Sequence, residues 1–299
     1  MKISQVEKWQ VFLENGVNNL FFWEEVWKEA RKQSISSRRL PQVDALAYWS
    51  AQANKFGRWL GQEHTKKYVE KVFSWLAQHD IFWPEMEVLD IGAGAGAFTI
   101  PFAGRAKRVA ALEPVPSLRA LLAEKVIEAG LNNVEIIEST WEETDPREDG
   151  FAGRFGLVFA SFVPAIKNSE AINKMIACSQ KWCFISDFAG FRHTAARQDL
   201  WKTFFGEDMP SPGNDIIFPL LYLYFSGYSP FFTVWKDERV EDLCAQEAVN
   251  ELKNFFSNYL EITPKVNKVI CDYVTQMTAD GIFHDKYQAR RGMLLWSIA

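Results

Sequence analysis

Cysteine and histidine are both scarce, four of each in 299 residues. Cys178, Cys183, Cys244 and Cys271 lie far apart, with no C-x-x-C pair and no histidine at metal-ligand spacing. That excludes a disulfide framework and a zinc site as the organising feature, and no metal is expected. Basic runs are missing as well. Lysine and arginine number 33 against 38 acidic residues, a formal net charge of -5, and basic residues occur in pairs such as Arg38-Arg39 and Lys66-Lys67. Neutralising a phosphate backbone calls for a basic footprint, so the expected partner is a small-molecule substrate and no nucleic acid. The apolar run from Ile216 to Phe225 is too short to cross a bilayer and contains Pro219, so no membrane span is expected. The first residues, Met1-Lys2-Ile3-Ser4-Gln5, lack the apolar centre of a secretory signal, so the expected location is cytoplasmic. Repeats and low-complexity stretches are absent, and oligomeric state is not readable from composition.

What is present is concentrated in two segments, Val88-Leu89-Asp90-Ile91-Gly92-Ala93-Gly94-Ala95-Gly96 and Ala110-Ala111-Leu112-Glu113-Pro114. They describe a strand, a glycine turn feeding a helix, and a second strand ending on a carboxylate, the cofactor-binding half of an open α/β sheet. Glycines at such a turn let a ligand approach the main chain without meeting a Cβ. Dinucleotide sites usually space them G-x-G-x-x-G and place the pyrophosphate at a helix N-terminus; here the spacing is G-x-G-x-G. Asp90, just before the first glycine, favours a cationic or hydrogen-bond-donating ligand. S-adenosylmethionine brings an ammonium group and no phosphate. Glu113 is placed to accept both hydroxyls of a ribose, which suits a nicotinamide dinucleotide equally well.

Around these motifs, strands near Glu87 to Ile91, Arg108 to Leu112, Val134 to Glu138, Leu157 to Ser161 and Trp182 to Asp187 alternate with helices near Ala97 to Ala103, Ser117 to Ala129 and Ala171 to Gln180. Such alternation requires parallel strands joined by right-handed crossovers. Before the sheet, apolar residues at helical spacing (Val11, Phe12, Leu20, Phe21, Trp23, Val26, Trp27) open a helical cap. It continues from Asp44 through Leu60 and from Thr65 to His79, where Tyr68, Val72, Trp75 and Leu76 pack together. After Gly190 the rhythm breaks into an aromatic-rich segment with a helix around Arg197 to Phe205 and the turn Met209-Pro210-Ser211-Pro212-Gly213. Phe232 to Val240 returns as a strand, Gln246 to Tyr259 and Pro264 to Thr278 read as helices, and Arg291 to Ile298 as a last strand. The expected divisions are a cap over 1–85, a cofactor-binding core over 86–190, an inserted lid over 191–231 and the C-terminal part of the core over 232–299.

The stretch from about Glu87 to Gly190 resembles the class I S-adenosylmethionine-dependent methyltransferases. The resemblance implies a seven-stranded, mostly parallel α/β sheet with helices on both faces, extended here by the helical cap and the lid. The terminal strand would insert into the sheet. It implies that Asp90, Gly92, Ala93 and Gly94 hold the methionine end of S-adenosyl-L-methionine, that Glu113 holds the ribose, and that Pro114 lies beside the adenine. Where the family usually carries an acid for the adenine amine, this chain has Thr140 followed by Trp141; a threonine hydroxyl also accepts a hydrogen bond. Ser161 and Phe162, at the fourth element, would lie near the methyl group. The implied reaction is in-line methyl transfer with S-adenosyl-L-homocysteine as product, and the expected acceptor is a small molecule.

Such chemistry needs few catalytic groups, because the methyl group is already activated by the sulfonium. Asp187 and His193, after the fifth strand, are the candidates for a base, while His64, His79 and His284 read as surface residues. Enzymes that methylate planar amide or exocyclic amino nitrogens often carry N/D-P-P-Y/F at the fourth element. This chain has Ser161-Phe162-Val163-Pro164, which argues against adenine-N6 or glutamine as acceptor, and it has no Pro-Cys nucleophile of the cytosine-C5 kind. The run Tyr48-Trp49-Ser50-Ala51-Gln52-Ala53-Asn54-Lys55-Phe56 resembles the aromatic segment that closes over the cofactor in small-molecule methyltransferases. Tyr48, Trp49 and Asp215 are therefore substrate-side candidates, and Asn214 and Asp215 are also placed to cap the helix that follows. A protein methyltransferase, a nicotinamide-dependent oxidoreductase and a noncatalytic cofactor-binding module remain as alternatives.

Overall fold

The computed structural model describes residues 19–41, 44–79, 81, 83–213 and 215–298. Val11, Phe12 and Asn214 lie outside the described residues, as do the side chains of Phe56 and His193. The chain divides into two compact units.

The unit built mainly from residues 44–186 contains the motif-bearing strands. Here β1 is Glu87–Ile91, β2 Arg108–Leu112, β3 Val134–Ile137 and β4 Phe155–Ser161. β5, Ser179–Thr194, begins in this unit and continues into the other. β1 pairs in parallel with β2 and β4, β2 with β3, and β4 with β5. Val88, Leu89, Asp90 and Ile91 are all buried, as expected of a parallel strand covered on both faces. The crossovers are made by the helices Thr99–Ala103, Pro116–Glu128 and Ser169–Cys178. Pro116 starts the second of these at a position where its missing N–H costs no hydrogen bond. Beneath the carboxyl ends of the strands, Phe159 is stacked on Phe184 with centroids 4.5 Å apart, and Phe98 and Phe102 lie 4.7 and 4.9 Å from Phe159. These rings form a rigid apolar floor.

The stretch expected as one helix from Asp44 to Leu60 is two, Ala45–Ala51 and Ala53–Leu60, meeting at Gln52. Asp44 caps the first, its carboxylate accepting the Ala47 N–H at 2.6 Å. The helix Glu63–Leu76 follows, with Val72 and Leu76 fully buried.

Of the described residues, the second unit combines 19–41 with 187–213, 215–226 and 232–293. It holds the helices Leu20–Lys32, Ala195–Phe205, Ile217–Phe225, Ala245–Phe256 and Pro264–Met277. It also holds β6 (Phe231–Cys244), apart from its first residue, the short β7 (Thr278–Ala279) and most of β8 (Ile282–Ser297). Its core is formed by Leu200, Trp201, Leu252, Phe256, Ile270, Val274 and Phe283. The apolar run read in the sequence is the helix Ile217–Phe225, against which Trp27 stacks on Phe218 at 6.0 Å and Trp23 on Phe225 at 5.7 Å.

Hydrogen bonding links the strands in the order β3-β2-β1-β4-β5-β8-β6, with β7 paired to β8. The sheet thus has eight strands where seven were expected; the extra one is the two-residue β7, a hairpin too short to show as a pattern in sequence. The terminal strand stands between β5 and β6, an insertion as expected, and it starts at Ile282 rather than near Arg291. Among the described residues no helix is long and apolar enough to cross a membrane.

Candidate cofactor and methyl-transfer site

The glycine turn leaves β1 at the centre of the parallel strands. Gly92, Gly94 and Gly96 have φ of 65°, 58° and 94°, the left-handed region that side chains disfavour. Gly92 and Ala93 donate their N–H groups to the Leu112 carbonyl, tying the turn to β2. A Cβ on Gly96 would come within 2.7 Å of Leu122, so this glycine permits close packing of the helix Pro116–Glu128. A Cβ on Gly94 would meet nothing nearer than the Gly92 carbonyl at 4.0 Å. Space therefore remains in front of the Gly94 backbone where a ligand can lie.

Two carboxylates belong to this turn, Glu113 bonded to Gly94 and Asp90 near the end of β1. Asp90 is 2% exposed, and the Thr99 hydroxyl donates to its Oδ2 at 2.6 Å. Burial pushes its pKa up to about 7; the Thr99 hydrogen bond pulls against this and the Glu113 charge adds to it. Glu113 accepts the Gly94 N–H at 2.8 Å through Oε2 and the Val115 N–H at 2.9 Å through Oε1. Its pKa is also raised by burial, against the lowering effect of those two bonds and of Arg119. A carboxylate oxygen accepts more than one hydrogen bond, so both retain capacity for donors on a ligand. A buried acid next to an open glycine cradle, with a second acid anchored to the same loop, fits an ammonium-bearing nucleoside such as S-adenosylmethionine.

The remaining cofactor candidates are placed less uniformly. Thr140 donates its hydroxyl to Glu143 Oε2 at 2.7 Å and accepts the Glu143 N–H at 3.2 Å, forming a closed local turn. Trp141 is 3% exposed and its indole N–H is given to the Ala171 carbonyl at 3.2 Å, which fixes it within the fold. Trp49 meets Tyr48 edge to face at 5.0 Å and packs against the group formed by Ala53, Ala95, Val115 and Leu118. The aromatic segment therefore lies on the residues that follow Gly94 and Glu113. Val163 packs on the Gly92 face, where a Cβ would come within 3.0 Å of it.

At the fourth element Phe162 adopts φ 54°, an unusual conformation for a residue with a bulky side chain. It is held there by its N–H, which donates to the Ser186 carbonyl at 2.9 Å. Ser161, Ser186 and Tyr68 bring their hydroxyls together at 2.6 to 2.9 Å. The sequence pattern places Tyr68 with the core residues of its helix and does not single out Ser186. Tyr68 has no local signal because its partners are 93 and 118 residues away; Ser186, next to the end of the strand expected from Trp182 to Asp187, was open to the same edge-of-sheet argument that singled out Asp187.

Asp187 and Asp215 belong to the second unit. Asp187 is 7% exposed, and burial pushes its pKa up to about 7, with Asp215 adding to the rise and Arg31 and Arg192 opposing it. Asp215 accepts the Gly190 N–H at 2.9 Å and the Ile217 N–H at 3.0 Å, so it starts the helix Ile217–Phe225 as expected of a cap. His284 is an exposed residue paired with Asp242, whereas His79 lies against Phe231 at 4.2 Å.

Residues 60–173, which include every cofactor candidate, match the family described as ribosomal RNA adenine dimethylase. Over these residues the chain carries the fold and motifs of a class I S-adenosylmethionine-dependent methyltransferase. Within curated proteins, 51 residues of this methyltransferase are 43% identical to the "Probable ribosomal RNA small subunit methyltransferase A" of Methanosphaera stadtmanae, covering 17% of the chain and 19% of that relative's length. The chain thus spans about a fifth of the curated relative it matches. Among solved structures it is similar to an S-adenosylmethionine-dependent methyltransferase from Aquifex aeolicus, with 14% identity, TM-score 0.45, and coverage of 84% of this chain and 98% of that one. It is also similar to the magnesium protoporphyrin IX methyltransferase of Synechocystis with bound S-adenosylhomocysteine, with 14% identity, TM-score 0.45, and coverage of 77% and 82%.

The family match overturns the expectation of a small-molecule substrate with no nucleic acid partner. The expectation failed because net charge is an average over the whole chain. Lys66, Lys67 and Lys71 are exposed on the helix that also carries Tyr68, interleaved with Glu63 and Glu70, and Lys67 pairs with Glu63 at 3.4 Å.

Proposed function

We propose that this methyltransferase acts on RNA, transferring a methyl group to the exocyclic amine of an adenine in ribosomal RNA. The observation that carries the reading is the match of residues 60–173 to the ribosomal RNA adenine dimethylase family, because it covers the glycine turn, Asp90, Glu113 and the fourth element together. When bound, S-adenosylmethionine supplies a methyl group on a sulfonium, and the carbon–sulfur electron pair stays on sulfur as the acceptor nitrogen takes the methyl. The chain's own contribution is placement. Asp90 binds the ammonium end, Glu113 the ribose hydroxyls, and Gly94 admits the ligand against the backbone. Ser161 and Phe162 then face the transferred group. Phe162 offers a ring face on which a base extruded from its stack can lie, and the proton released by the methylated nitrogen passes to water. Lys66, Lys67 and Lys71 supply phosphate contacts, which position the RNA without reading its sequence. A cytoplasmic location accords with such a substrate.

The test is transfer of isotopic methyl from S-adenosylmethionine to cell extract separated into RNA, protein and metabolite fractions. Label is expected in RNA. Label confined to the protein or metabolite fraction would overturn the reading.

A further inference from the structure

Three hydroxyls from distant parts of the chain close a ring at the carboxyl end of β4, where Ser161 pairs with Ser186 in the middle of β5. The Tyr68 oxygen lies 2.9 Å from Ser161 Oγ and 2.6 Å from Ser186 Oγ, and the two serine oxygens are 2.9 Å apart. Each hydroxyl has one proton and two acceptor lone pairs. With the three protons running round the ring, each donated to the next oxygen, the capacity left outward is that of acceptors. Ser186 is 1% exposed, whereas Ser161 is half-buried and opens the fourth loop. Ser161 is therefore the serine through which that capacity is presented. The ring is rigid, because Tyr68 is packed edge to face against Phe98 at 5.6 Å and Phe162 at 5.7 Å. The backbone N–H of Phe162 also ends on the Ser186 carbonyl.

We propose that the Tyr68–Ser161–Ser186 ring positions the methyl acceptor by taking an N–H of its amine on Ser161 Oγ, which leaves the nitrogen lone pair free to face the methyl group. The inference rests on the RNA reading above and deepens it. It supplies, from hydroxyls, the acceptor that an N/D-P-P-Y/F segment would supply from an amide or carboxylate, so Ser161-Phe162-Val163-Pro164 no longer argues against an amino nitrogen. A ring of this kind distinguishes a base bearing an amine from one lacking it, since an unfilled acceptor on either side loses a hydrogen bond. Ser161 touches the substrate; Tyr68 and Ser186 are positioning residues that keep the Ser161 proton turned inward.

The experiment compares two short single-stranded RNAs, one with a single adenosine and one with purine riboside at that position, binding to the full chain saturated with S-adenosylhomocysteine. Wild type is expected to favour adenosine by about 5-fold. Ser161→Ala and Tyr68→Phe should each bind the two RNAs equally, while Ser161→Thr, which restores a hydroxyl, should keep the preference. A merely structural role for the ring would lower affinity for both RNAs alike and leave their ratio intact. Equal binding by wild type, or a preference that survives Ser161→Ala or Tyr68→Phe, overturns the ring and leaves the RNA reading standing. Failure of wild type to bind either RNA overturns both.

Discussion

Replacing Asp90 by asparagine separates what this carboxyl does for the cofactor from what it costs the fold. The ligand-free protein holds Asp90 at 2% exposure with a pKa raised from 3.8 to about 7. Its folded form therefore binds more protons than the unfolded chain between those values, and stability falls as pH rises through that window. At about 1.4 kcal/mol per unit, the shift amounts to roughly 4 kcal/mol once pH is well above 7. An asparagine at this position would keep the shape and an acceptor for Thr99 while removing the charge. Ligand-free Asp90→Asn should accordingly match wild type only below about pH 4, gain on it as pH rises through the window, and melt at a higher temperature at pH 8. Cofactor binding should move the other way. An ammonium group beside Asp90 favours the carboxylate, so S-adenosylhomocysteine should bind wild type more tightly as pH rises through 7, with proton release on binding below that pH. Loss of a charged hydrogen bond, about 1.5 to 3 kcal/mol, predicts roughly 10- to 150-fold weaker binding by the variant at pH 8. Isothermal titration in buffers of different ionisation enthalpy reads both the affinity and the proton count. A variant that binds as tightly as wild type at pH 8, or one that is less stable without ligand there, would refute the assignment of Asp90 to the ammonium end.

Other substitutions probe the rest of the site and its floor. Glu113→Ala should weaken S-adenosylhomocysteine by about 1.5 to 3 kcal/mol, read by titration, and unchanged affinity would remove the ribose assignment. Gly94→Val fills the open space before the turn and forces a branched residue to φ near 58°. Cofactor binding should be abolished, with about 1 to 2 kcal/mol of stability lost by denaturant titration; retained binding would show that the ligand does not lie against that backbone. Phe159→Ala, at a fully buried ring stacked on Phe184, should cost about 3 to 5 kcal/mol of unfolding free energy. A loss below about 1 kcal/mol would mean the aromatic floor is not the support described.

The cofactor half of the site was legible because it is local. β1 and β2 lie where the sequence placed them, residue for residue, since a continuous apolar run ending in closely spaced glycines has few other solutions. Crossover helices fall within about two residues of the expected ends for the same reason. Ser161 was singled out at the fourth element, but the hydroxyl cluster was not legible, because Tyr68, Ser161 and Ser186 come together only through the sheet, and a tyrosine at helical spacing among Val72, Trp75 and Leu76 reads as core. Trp141 shows the opposite limit: adjacency to Thr140 suggested a cofactor contact, yet its indole N–H is satisfied by Ala171 within the fold. Charge misled because an excess of acids averaged over the whole chain says nothing about how charges are distributed over any one face.

The most direct measurement is methyl transfer from labelled S-adenosylmethionine to transcribed small-subunit ribosomal RNA, followed by digestion to nucleosides and mass analysis. Label is expected in N6-methylated adenosine, strongly reduced in Ser161→Ala. Label in any other nucleoside would contradict the adenine amine as acceptor. No label in RNA, from protein that binds S-adenosylhomocysteine, would contradict the account at its centre.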